Sequence, residues 1–233
     1  MPRERIKPSG PDRPFYDEEG YLLRNPYLPK LLEDFPRRVI HPTQALARKG
    51  QWKTWLGGKP LHLEVGPGKG RWFTDYALAH PEAAMLGIEV KFRRVYKIAK
   101  RLDYYQVPDA WLLRFDGNYL DWVFGENEVD AMFVHFPDPW WKKERQRYRG
   151  MVTPEFIAKA EHFLAPGGHL TLKTDHPERF EMMQEAVRTS SLKILAETTD
   201  LAHSPYVKDN IETIFEEKFR LRGIPTCYLL AEK

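Results

Sequence analysis

Three stretches of the 233-residue chain combine residue types that do chemistry with spacings that bring them together. The first is Glu64-Val-Gly66-Pro-Gly68-Lys-Gly70, a carboxylate two residues before a glycine-rich turn. Glycines permit left-handed backbone, and a helix opening at such a turn points free N–H groups at a ligand. The second is His135-Phe-Pro-Asp138-Pro-Trp140-Trp141-Lys142-Lys143, where two prolines stiffen the chain around a carboxylate and the tryptophans offer faces to a planar base. It runs on into Lys143-Glu-Arg145-Gln-Arg147-Tyr-Arg149, cations interleaved with an aromatic, a composition suited to phosphate contact and base stacking. The third is Thr213-Ile214-Phe215-Glu216, which has the Ser/Thr-x-x-Glu form of a capping box; the helix start behind it can present N–H groups to a phosphate or base carbonyl. Glu89, Asp116 and Asp175 each end or follow an apolar run. Glu89 suits a ribose diol, and Asp116, with the backbone of Gly117-Asn118, suits an adenine amino group. Each feature also has a purely structural reading. Glu89 and Asp116 can cap the helices after them, Asp138 can be a turn residue, and the arginine run can be a solvated surface.

These residues fall at the ends of predicted elements. Short apolar runs at 61–65, 84–90, 111–115, 129–136 and 169–175 read as strands. Helical stretches follow at 71–78, 91–102, 118–124, 154–163 and 177–189, and a helix over 43–55 precedes them. Further strands are expected at 192–201 and 226–232, with a short helix over 214–221 ended by Gly223. This alternation predicts an α/β fold, a doubly wound, mostly parallel sheet with right-handed crossovers. Ligands in such sheets bind beyond the carboxyl ends of the strands, where the strand order reverses. The carboxylates above sit at those ends.

The glycine turn is not the dinucleotide fingerprint G-x-G-x-x-G. Its third glycine comes one residue early, and Arg71 stands where that glycine would be. An acid followed by G-x-G-x-G is the pattern of S-adenosyl-L-methionine-dependent methyltransferases, which have no pyrophosphate to cradle. On that reading the cofactor is S-adenosyl-L-methionine, held by Glu64, Gly66, Gly68, Gly70, Glu89, Asp116 and Asn118. Taken together, Phe136-Pro-Asp-Pro-Trp140 with its following cations, Glu64-x-Gly-x-Gly-x-Gly70, Gly87-Ile-Glu-Val90 and Thr213-x-Phe-Glu216-x-Lys218 resemble the bacterial tRNA (guanine-N7-)-methyltransferase family, over about residues 35–232. The resemblance implies a Rossmann-like methyltransferase fold and methylation of the variable-loop guanosine at position 46 of tRNA. It puts Glu64, Glu89, Asp116 and Asp138 at the cofactor, makes Asp138 the catalytic acidic residue, and makes Lys142, Asp175 and 213–216 substrate-binding. Arg145, Arg147 and Arg149 join them as expected phosphate contacts. The chain departs from the family pattern at Glu144, which interrupts the cations, and at Arg147-Tyr148-Arg149, where a Lys-Arg-Arg cluster is usual. Trp141 is an additional aromatic, and Gly117 stands where alanine is common. The alternatives are a methyltransferase acting on another RNA base or a small molecule, and a non-catalytic RNA-binding module.

Composition agrees with a polyanionic partner. The formal net charge is only +3, but it is unevenly spread: +5 over residues 1–60, −3 over 61–139, +4 over 140–150 and −3 over 151–233. Nine of the 19 prolines fall in the first 60 residues, which excludes continuous regular structure there. Residues 1–14 are expected to be a mobile arm, 15–60 an N-terminal extension packed on the core, and 61–233 the methyltransferase domain. The single cysteine, Cys227, excludes an intrachain disulfide. No apolar run approaches a membrane span and no h-region follows the basic N-terminus, so a cytoplasmic protein is expected, a monomer or homodimer. His41, His62 and His135 lack ligand-like spacing, and no metal is expected.

Overall fold

The structure is a computed structural model and describes residues 27–137 and 150–233. Helix α1 (Tyr27–Asp34) leads into a two-residue strand β1 (Val39–Ile40) and the short helices α2 (Pro42–Ala47) and α3 (Trp52–Trp55). The alternating body follows: β2 (Leu61–Val65), α4 (Arg71–Ala79), β3 (Ala84–Ile88), α5 (Phe92–Tyr104), β4 (Ala110–Leu113) and a 3-10 segment at Gly117–Trp122. Then come β5 (Val129–His135), α6 (Pro154–Phe163), β6 (Leu164–Thr174), α7 (Pro177–Arg188) and β7 (Lys193–Thr198). Two 3-10 turns, Leu201–His203 and Pro205–Asp209, precede α8 (Ile214–Arg220) and β8 (Cys227–Glu232).

The strands form one sheet in the order β1-β4-β3-β2-β5-β6-β8-β7. Among the described strands, β8 is antiparallel to both β6 and β7, and all other pairings are parallel. From β2 the chain first builds outward through β3 and β4, then returns to the other side of β2 to add β5 and β6. The carboxyl ends of β2 and β5 therefore flank the switch point. Side chains alternate across the sheet and divide the core. One cluster includes Val65, Ile88, Leu113, Val134 and Phe163. The other includes Phe73, Met85, Val95, Ile98 and Leu112, joined by Leu31 of α1 and by Phe35 just after it.

Three expectations are corrected. The helix expected over 43–55 is two helices, because Gly50 turns left-handed (φ 77°) between them. The Glu128 carboxylate holds this break open, accepting from the N–H groups of Gly50 (2.9 Å), Trp52 (2.8 Å) and Gly125 (2.6 Å). The strand expected at 169–175 begins at Leu164, since that residue leaves α6 directly in extended geometry and pairs with Val129. The strand expected over 192–201 stops at Thr198, where Thr198 and Asp200 bond to each other and turn the chain. Strand β1 was not foreseen. It adds to the outer edge of the sheet beside β4, Val39 opposite Leu112.

Candidate active site

Glu64 is the fourth residue of β2 and lies beside Phe133 of β5; His135 of β5 lies beside Lys173 of β6. In-register residues of parallel neighbours share a face, as do residues two apart on one strand. Glu64, His135 and Lys173 thus form a row across three strands on the face that α4 covers, where Trp72 meets the His135 ring edge-on at 4.3 Å. All three are buried. His135 Nδ1 lies 3.2 Å from Glu64 Oε1, while Glu64 Oε2 and His135 Nε2 are buried without a hydrogen-bond partner. Burial pushes the Glu64 carboxyl up to about 8; the Lys173 charge opposes this and Glu89 reinforces it. His135 is held well below its ordinary value by burial and then by the Lys173 charge.

Behind Glu64 the chain turns through Gly66 (φ 83°), Gly68 (φ 59°) and Gly70 (φ 71°), the last of which opens α4. A Cβ on Gly70 would sit 2.6 Å from Ile98 Cγ1, so this glycine also permits α5 to pack against the turn. Arg71, the residue that breaks the dinucleotide pattern, ion-pairs with Glu217 of α8 and tethers that helix to the turn. Glu89 is buried just beyond β3; it accepts from Lys91 N (2.9 Å) and from Arg94 (3.3 Å). Asp116 Oδ1 accepts from the backbone N–H (3.0 Å) and the amide (2.9 Å) of Asn118. Asp116 therefore caps the 3-10 segment that follows it, as its structural reading requires, whereas Glu89 holds the N–H of Lys91, the residue before α5, and no amide of the helix itself; both carboxylates stand just beyond strand ends.

The third motif is brought to the same place from the far end of the chain. Thr213 and Glu216 form the capping box, Thr213 Oγ1 accepting from Glu216 N (3.0 Å) and Glu216 Oε2 from Thr213 N (2.8 Å). Glu216 also ion-pairs with Lys173 at 3.1 Å and accepts from Asn210 Nδ2 at 2.9 Å; Lys173 in turn donates to Asn210 Oδ1. Ile214 is partly buried and Phe215 is 45% exposed. Asp175 follows β6 and is partly buried. Phe136 takes a positive φ of 48°, an uncommon and strained conformation for an aromatic residue. Its ring lies 5.6 Å from that of Phe215 and 5.7 Å from that of Phe219, so the chain leaves β5 against α8. A cavity of about 600 Å³ opens between the 3-10 turns and α8; Asp200, His203, Asn210, Glu216, Arg220 and Ile224 are among its walls.

Asp138, Lys142, Arg145, Arg147 and Arg149 lie outside the described residues. The sequence reading missed His135, Lys173, Asn210 and the Arg71 tether. One signal was available: Lys173 interrupts an apolar strand, and a lysine there is rarely buried unless it is paired. The buried, unpartnered Glu64 Oε2 beside a left-handed glycine turn fits a cofactor that ends in an ammonium group. No group of three His, Cys, Asp or Glu among the described residues is arranged to hold a metal. No helix among them is long and apolar enough to cross a membrane.

Residues 58–228 match the model of a family described as "Putative methyltransferase". A tRNA (guanine-N(7)-)-methyltransferase of Lachnoclostridium phytofermentans is 34% identical over 83% of this chain and 89% of its own length. The protein of that name from Limosilactobacillus reuteri is 36% identical over 84% and 94%. Among solved structures, the 16S rRNA methyltransferase KamB aligns with a TM-score of 0.57 at 15% identity, covering 82% of this chain and 91% of that one. A SAM-dependent methyltransferase from Aquifex aeolicus aligns with a TM-score of 0.51 at 13% identity, covering 92% and 97%. At such identities the structural likeness speaks to the fold alone.

Proposed function

The chain belongs to the tRNA (guanine-N7-)-methyltransferase family, and from that premise we propose that it methylates N7 of a guanosine in tRNA, the one at position 46 of the variable loop. The observation that carries the reading is that Glu64 near the end of β2, the glycine turn after it, and Glu89 and Asp116 after β3 and β4 stand at the carboxyl ends of three neighbouring strands, of which β2 borders the switch point.

Bound S-adenosyl-L-methionine supplies an electrophilic methyl group on a sulfonium sulfur. Guanine N7 has an in-plane lone pair and no proton. The N7–carbon bond forms as the carbon–sulfur bond breaks, with no obligatory deprotonation, and the base ends with the positive charge. The chain's work is therefore alignment and electrostatics. Glu64 would accept from the methionine ammonium, Glu89 from the ribose diol, and Asp116 with Asn118 would meet the adenine amino group. The turn of Gly66, Gly68 and Gly70 allows the close backbone approach. Asp138 accepts from the N1–H and N2 amino edge of guanine, setting which nitrogen faces the methyl group, and its charge with that of Asp175 favours the cationic product. Lys142, Arg145, Arg147 and Arg149 hold tRNA phosphates, and Thr213, Ile214, Phe215 and Glu216 contact the nucleotide.

Incubating the protein with labelled S-adenosyl-L-methionine and unmodified tRNA, then mapping the product, tests this. Label in 7-methylguanine at position 46 is expected; label in N2-methylguanine, or none in RNA, overturns it. The Asp138→Asn variant is expected to lose about 10²-fold or more in kcat. Near-wild-type turnover would sink the role given to Asp138.

A further inference from the structure

The row Glu64–His135–Lys173 and the capping box of α8 meet at one side chain. Lys173 stands between a carboxylate on each side. Glu216 is its 3.1 Å ion-pair partner, and Glu64 lies across His135 on the same sheet face. Every polar partner of the Lys173 ammonium that the structure gives is on the segment leading into and capping α8, namely Asn210 Oδ1 and Glu216 Oε2. Stability alone does not call for this lysine. Buried ion pairs are often matched or bettered by apolar residues of similar volume, because desolvation cancels most of the attraction. A lysine in an otherwise apolar strand therefore asks for another role.

We infer that Lys173 is a positioning residue which, from one buried site, both fixes the Glu216 cap of α8 and sets a cation on the Glu64 row that favours ionisation of that carboxylate when the cofactor binds, coupling the tRNA side of the active site to the cofactor side. The inference rests on the reading of Glu64 as the acceptor for the cofactor's ammonium. Its charge surroundings are few. Lys173 comes from β6, His135 from β5, and Glu89 from the end of β3; Glu216 and Glu212 reach Lys173 from the α8 side. Arg71 and Asp75 of α4 are turned to each other and to Glu217 and Arg101. Burial disfavours the Glu64 carboxylate, and Lys173 is the cation that opposes this. Without Lys173, Glu64 would hold its proton to still higher pH, and ionising it to meet a cationic ligand would cost more.

The test is the affinity for S-adenosyl-L-methionine, measured by calorimetry from pH 6 to 9 on wild type, Lys173→Met and Glu216→Gln. Titration of the ligand's own ammonium is common to all three. In Lys173→Met the midpoint of the rise in affinity is expected to move up by about one pH unit, which is about tenfold weaker binding at pH 7. In Glu216→Gln the midpoint is expected to move down, because the Lys173 charge is no longer shared with its ion-pair partner and acts on Glu64 alone. Thermal unfolding of each variant is followed in parallel. A merely structural lysine would lower the melting temperature and leave the midpoint where it is, and that result overturns the inference. If Lys173→Met does not fold, the direction in Glu216→Gln decides, an unmoved or raised midpoint overturning it. Wild type that binds S-adenosyl-L-methionine while neither variant shifts defeats this inference alone. Wild type that binds none defeats it together with the reading of Glu64.

Discussion

At the scale of single residues, the site stores its polarity in groups that are buried before any ligand arrives. Glu64 keeps a proton that it would have lost in the unfolded chain. Between the ordinary carboxyl value of 4.5 and its folded value of about 8, the folded state binds the extra proton, so its contribution to stability falls as pH rises. His135 has the opposite sign. Its folded value lies well below 6.5, so the unfolded chain binds the extra proton up to that pH, and the His135 contribution rises with pH until then. The two slopes oppose each other below pH 6.5, and only the fall remains above it. The ligand-free protein is expected to lose about 2 kcal/mol between pH 6.5 and 8, measured by urea unfolding across that range. Glu64→Gln should abolish the loss; a variant with the same slope as wild type would assign it elsewhere.

At the scale of elements, the glycine turn and α5 constrain each other. Gly70 must be left-handed, and the space its side chain would need is filled by Ile98. Gly70→Ala combines strain with overpacking and is expected to cost about 2–4 kcal/mol by denaturant unfolding, with weaker cofactor binding as the turn shifts. Helix α5 shows how an amphipathic pattern settles its own orientation. Phe92, Val95, Ile98, Ala99 and Leu102 are buried, while Arg93, Lys97 and Lys100 face out along one stripe. Exposed cations on a packed helix are usually a solvated face, whereas the expected tRNA contacts are the cations at 142–149, in the segment after β5. The two groups separate in the salt dependence of tRNA binding. Replacing Lys142, Arg145, Arg147 and Arg149 with alanine should flatten the slope of log K against log salt by about 3. Replacing Arg93, Lys97 and Lys100 with glutamine should leave the slope nearly unchanged. The reverse result would move the RNA interface to α5.

At the scale of the whole molecule, the segment before β2 is part of the core. Trp52 is buried, donates from Nε1 to Val123 O at 2.7 Å, and packs on Phe124. Trp52→Ala is expected to cost about 3–5 kcal/mol in urea unfolding; a loss below 1 kcal/mol would mean that the segment is dispensable. This region also shows where sequence reading stops. The buried strands β2, β3 and β5 and the amphipathic α5 were legible because burial on both faces, or on one stripe, writes a local pattern of residue types. Strand β1 was not, because two residues carry no periodicity and its pairing depends on an edge that β4 offers 73 positions later. The break in the 43–55 helix depends on Glu128, whose carboxylate arrives from the strand β5 side of the fold. In the site the division is similar. The glycine turn, Glu64, Glu89, Asp116 and the Thr213–Glu216 cap were visible as motifs, since each is a contiguous run or stands at a strand end. That Lys173 pairs with Glu216, that Arg71 holds Glu217, and that Phe136 rests on Phe215 are contacts across 43, 146 and 79 positions. By itself the sequence determined the alternation of strands and helices from β2 onward, which residues stand at the strand ends, and the family, because these depend on neighbours along the chain. Only the tertiary structure decided which carboxylate is left with an unpaired oxygen and which lysine is buried beside it, because burial and pairing belong to the packed sheet and not to any segment of it.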